Sequence, residues 1–70
     1  MIPPDRIAEL ASLYDRYNNA LDPFSADCAV ARRDFLQRVQ DLHQIHAADV
    51  EFSSFRGELM RLCREYLRKN

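Results

Sequence analysis

Residues 34 to 43, Asp34-Phe35-Leu36-Gln37-Arg38-Val39-Gln40-Asp41-Leu42-His43, carry apolar side chains at a spacing that an α-helix gathers onto one face. Phe35, Leu36, Val39 and Leu42 fall at i, i+1, i+4 and i+7, and Asp34, Gln37, Arg38 and Asp41 fill the gaps. No strand-like alternation competes with this pattern anywhere in the chain. The stretch forms the middle of the longest helix the sequence implies, and the rest reads as two helices folded against it.

The first helix is expected over residues 4–21. Pro3 and Pro4 suit a first turn, where the amide proton that proline lacks would be unpaired anyway. At about 100° per residue, Ile7, Leu10, Ala11, Leu13, Tyr14, Tyr17, Ala20 and Leu21 gather into one half of the cylinder. Asn18-Asn19 and then Asp22-Pro23 mark the stop, because the residue before proline is pushed out of the α region. Ser25 is the favoured N-cap for the next helix, ahead of Asp22.

That second helix, 26–47, has an apolar arc of Cys28, Ala29, Ala31, Phe35, Leu36, Val39, Leu42, His43 and His46, with Val30 and Ile45 stranded on its polar side. A short connection makes the first pair an antiparallel hairpin, which sets Leu10 near Leu36 and Ile7 near Val39. The third helix is expected over 53–68 with Ser53 as cap. Phe52, Phe55, Leu59, Leu62, Cys63 and Tyr66 form its apolar face, and Met60 and Leu67 its edge. Gly57 lies on the opposite side, where it costs about 1 kcal/mol relative to alanine. The predicted architecture is a single all-α domain over 1–70, a three-helix up-down-up bundle that dimerises.

Size supports the last point. Seventy residues sit near the lower limit at which one hydrophobic core suffices, and association is a common remedy. The chain is 47% hydrophobic and 30% charged, enough apolar surface for a packed interior beneath a solvated exterior. Its net charge of −1 gives no whole-chain attraction to nucleic acid or an anionic membrane. No apolar run reaches membrane-spanning length, and no secretory signal precedes the first helix. The start Met1-Ile2-Pro3-Pro4 reads as a natural one, and a cytoplasmic location is the expectation.

Candidate chemistry is sparse. Cys28 and Cys63 fall roughly 16 Å apart in hairpin register, too far for a bridge that tolerates about 7 Å between α-carbons, so both are expected as buried thiols. His43 and His46 have helical spacing for a shared cation, but the four-ligand set of a zinc site is missing. They are expected instead at the core edge and at the helix C terminus, respectively. Cys63 beside a histidine lacks the orienting acid and oxyanion donors of a nucleophile. No enzymatic activity, metal or cofactor is therefore expected.

Two surfaces remain. Leu13, Tyr17, Val30, Ile45, Met60 and Leu67 look like more apolar surface than a monomer core absorbs, and imply a protein partner, most simply a second copy. Arg61, Arg64 and Arg68 make a basic stripe on the third helix that is the alternative, a DNA- or RNA-binding face. Glu58 and Glu65 lie within ion-pairing reach of that stripe and argue for an ordinary salt-bridged surface.

Overall fold

The computed structural model describes residues 2–69 as three helices, α1 (Pro4–Asn18), α2 (Ala26–His46) and α3 (Phe52–Lys69), packed as a helical bundle. All three begin within one residue of expectation. α1 has proline in its first turn with Asp5 beside it, as the unpaired amides and positive dipole of a helix start favour. The Ser25 hydroxyl caps α2 by accepting from the Cys28 amide at 3.1 Å. α3 starts at Phe52 rather than Ser53, and the Phe55 amide closes its first turn on the Glu51 carbonyl at 3.0 Å. Ser53 donates its hydroxyl to the Glu51 carboxylate at 2.5 Å instead of capping.

α1 ends three residues earlier than the apolar pattern implies. The Asn19 amide closes on the Asp15 carbonyl at 3.0 Å, and the Asn19 side chain donates to the Asp15 carboxylate at 2.5 Å. Ala20 and Leu21 are thereby released from the helix. Leu21, placed by periodicity on the core face, is fully exposed in the connection instead.

Which helix is central also differs from expectation. α1 packs along both other helices, whereas α2 and α3 touch each other over a much shorter stretch. The apolar half-cylinder of α1 is wide because it faces two neighbours. Leu13, counted among the surplus in the sequence, is therefore a core residue, buried with Leu10, Ala11 and Tyr14. Tyr17 is half-buried, its ring 5.5 Å from that of Phe35 and 5.6 Å from that of Tyr14.

The antiparallel α1–α2 register is fixed by an ion pair between Glu9 and Arg38 and by the Cys28 thiol, which donates to the Tyr17 carbonyl at 3.4 Å. Phe35, Leu10, Leu59, Val39 and Cys63 are the largest fully buried side chains, one or two from each helix. Removing apolar surface from water on this scale is what holds so short a chain together. Ala29 and His46, assigned to the apolar arc of α2, lie exposed.

Candidate functional site

His43 joins the end of α2 to the start of α3. Its Nε2 lies 2.6 Å from the Val50 carbonyl oxygen, so that nitrogen carries the proton and donates. The ring packs against Phe52 and Phe55 with both centroids at 5.4 Å. Arg56 in turn sits 5.9 Å above the Phe52 ring. His43 is a structural tie, and His46 one turn on is exposed, so the two do not converge on a cation. Among the described residues no group of histidine, cysteine and acidic side chains has the geometry to hold a metal ion.

Both cysteines are buried free thiols. Burial pushes the Cys63 thiol up to about 11, which keeps it protonated at neutral pH and opposes any role as nucleophile. Burial likewise raises the Tyr17 phenol, with a smaller contribution from Tyr14 beside it. Neither group is the activated species that covalent chemistry would require.

The basic stripe on α3 is partly neutralised. Arg61 donates to the carboxylates of both Glu58 and Glu65, the latter at 2.8 Å. Hydrogen bonding from Arg61 lowers the Glu58 carboxyl, and the same contact raises the guanidinium. Arg64 and Arg68 remain exposed beside it. With the exposed Arg61 held by two carboxylates, Arg64, Arg68 and Lys69 are a thin footprint for a phosphate backbone, whose binding strength grows with the number of phosphates neutralised.

The apolar surface is distributed differently from expectation. Of the six residues singled out for a partner, Val30 and Ile45 are exposed, at 39% and 71%. Tyr17, Met60 and Leu67 are half-buried against the core and Leu13 is inside it. The most exposed large apolar side chains are two others, Leu21 at 105% and Phe24 at 94%, in the α1–α2 connection. This connection is ordered by Asp22: its carboxylate accepts from the Phe24 amide at 3.0 Å and its carbonyl from the Ser25 amide at 3.1 Å. At the other end of α1, Ile2, Pro4 and Ile7 line an open apolar hollow of about 370 Å³ with Leu62 and Tyr66 of α3.

Phe24 immediately precedes the Ser25 cap, where an apolar residue ordinarily staples onto the first turn of the helix; at 94% exposure it makes no such contact. The sequence signal for this exposed pair is the two large apolar residues flanking Asp22-Pro23. A helix continued through Leu21 hides it by placing that side chain on the core face.

No family model, curated protein or solved structure matches this chain. Among the described residues no helix is long and apolar enough to cross a membrane.

Proposed function

We propose that this chain is a helical protein–protein interaction module that associates with a second copy of itself. The observation that carries the reading is the display of Leu21 and Phe24 in water on an ordered turn, with Ile45 and Val30 exposed on α2 and an unfilled apolar hollow between α1 and α3. Leu21 and Phe24 stand on one turn, and adjacent exposed apolar side chains mark a partner site more often than scattered ones do. Half-buried Tyr17 and Met60 and exposed Tyr66 are residue types that interfaces favour. Burial by association also supplies what a 70-residue core lacks.

Light scattering coupled to gel filtration tests this. The expected result is a mass that rises above that of the 8.2 kDa monomer as concentration increases through the micromolar range. A constant 8.2 kDa at every concentration removes the proposal. The nucleic-acid alternative has its own test, a low-salt gel-shift series comparing the native chain with Arg64→Glu. With Arg61 occupied by two carboxylates, the expected outcome is no shift for either.

A further inference from the structure

We infer that the contact between copies is a knob entering a hollow: Leu21 and Phe24 of one copy seat in the cavity formed by Ile2, Pro4, Ile7, Leu62 and Tyr66 of another. This inference rests on self-association and specifies its surface.

Three observations select a second copy as occupant. First, the two features match in chemistry and scale. The hollow is almost wholly apolar and holds about 370 Å³, and the knob consists of two large apolar side chains standing in water at 105% and 94% exposure. Second, the knob cannot reach the hollow of its own copy. Ile7 lies near the start of α1 and the knob follows its end, so at 1.5 Å per residue the two are separated by more than about 15 Å of rigid helix. Third, the surroundings differ in charge. Asp22 and Asp27 flank the knob and outnumber Arg16 in the last turn of α1. Beside the hollow, Arg68 and Lys69 at the end of α3 outnumber Asp5 at the start of α1, and the Glu65 carboxylate is held by Arg61.

The knob is also pre-organised. Asp22 accepts two backbone amide hydrogen bonds that fix the turn, and Pro23 fixes one dihedral between the two apolar residues. A rigid turn loses less freedom on docking than a mobile one. Because knob and hollow lie at opposite ends of α1, two copies lying antiparallel bring each knob to the other's hollow. The contact is then made twice about a two-fold axis and closes as a dimer.

The experiment uses two variants of the full chain. In the first, Leu21→Ser and Phe24→Ser together remove the knob; both side chains are outside the core, so the helices persist. In the second, Pro4→Glu places a charge at the mouth of the hollow, at a helix start where an acid is welcome. Circular dichroism checks that each variant is folded.

Each variant alone retains no complete knob–hollow pair and is expected to associate at least about tenfold more weakly than the native chain. Mixed one to one, they restore one of the two contacts, and dimer reappears at concentrations where each alone is monomeric. Variants that dimerise like the native chain, or a mixture that stays monomeric while the native chain dimerises, overturn the inference and leave self-association standing. A native chain that is itself monomeric overturns both.

As a second readout independent of these substitutions, a photo-crosslinking side chain at position 24 in a mixture of light and heavy isotope-labelled chains is expected to join peptides containing residues 2–7 or 62–66 of the other copy. Crosslinks confined to the same copy, or to α2 of the other, contradict it.

Discussion

Gly57 shows how a residue's role is read from what surrounds it. Its position on the outer face of α3 was legible in the sequence, but a reason for glycine there was not, and the structure offers none. Its φ is not positive, and a Cβ built on it meets nothing within 4 Å. Gly57→Ala is therefore expected to stabilise the fold by about 1 kcal/mol through helix propensity alone, seen as a rise in thermal midpoint. Leu59, two residues on and fully buried, behaves oppositely: Leu59→Ala is expected to cost about 2–5 kcal/mol in urea denaturation by leaving a cavity.

Cys63 adds a pH dependence. Its thiol is raised from an ordinary 9.0 to about 11 in the folded chain, so below pH 9 it is protonated in both states and stability is full. Between those values the unfolded thiol ionises first and stability falls with rising pH. The raised phenol of Tyr17 adds a loss in the same direction only above its ordinary 10.0. Denaturation of Cys63→Ala is expected to flatten the slope from pH 9 to 10; an unchanged slope there excludes the thiol as its cause.

At the scale of the elements, the periodicity of apolar residues located three helices and their starts to within a residue, because caps and prolines act locally. Ser25 was legible as a cap since its hydroxyl needs only the amide three residues on. Ser25→Ala is expected to cost about 1 kcal/mol, and Ser25→Gly only a few tenths. The end of α1 was less legible. Ala20 and Leu21 continue the apolar rhythm, but Asn19 closes the last turn on Asp15, a competition between local hydrogen bonding and periodicity that the rhythm alone does not reveal.

The width of α1's apolar face was visible and its meaning was not. Leu13 was counted as surplus when it is covered, because a half-cylinder of apolar residues is equally the mark of a helix with two neighbours and of one with a neighbour and an outside partner. Only the packing of α3 on α1 decides between them. His43 was placed at the core edge, where it lies, but its partner Val50 is set by the turn between α2 and α3. His43→Ala is expected to speed hydrogen exchange at the Phe55 amide and the amides that follow it in the first turns of α3, while amides around Ala31 and Phe35 keep their protection.

The molecule as a whole is thin, 36 × 25 × 18 Å, with a radius of gyration of 12.0 Å against about 11 Å for a compact chain of this length. Such a shape leaves little interior: α1 is sheltered on two sides, while α2 and α3 cover each other only briefly. Apolar side chains that a larger domain would bury accumulate at the two ends of α1, as the knob at one and the hollow at the other. A residue-resolved dilution series shows whether copies associate through these two ends. Methyl and aromatic NMR shifts of Leu21, Phe24, Ile7, Leu62 and Tyr66 are predicted to move together with protein concentration while those of Phe35 and Val39 stay fixed. Shifts that are all independent of concentration, or that change only in the Phe35 and Val39 core, would contradict it.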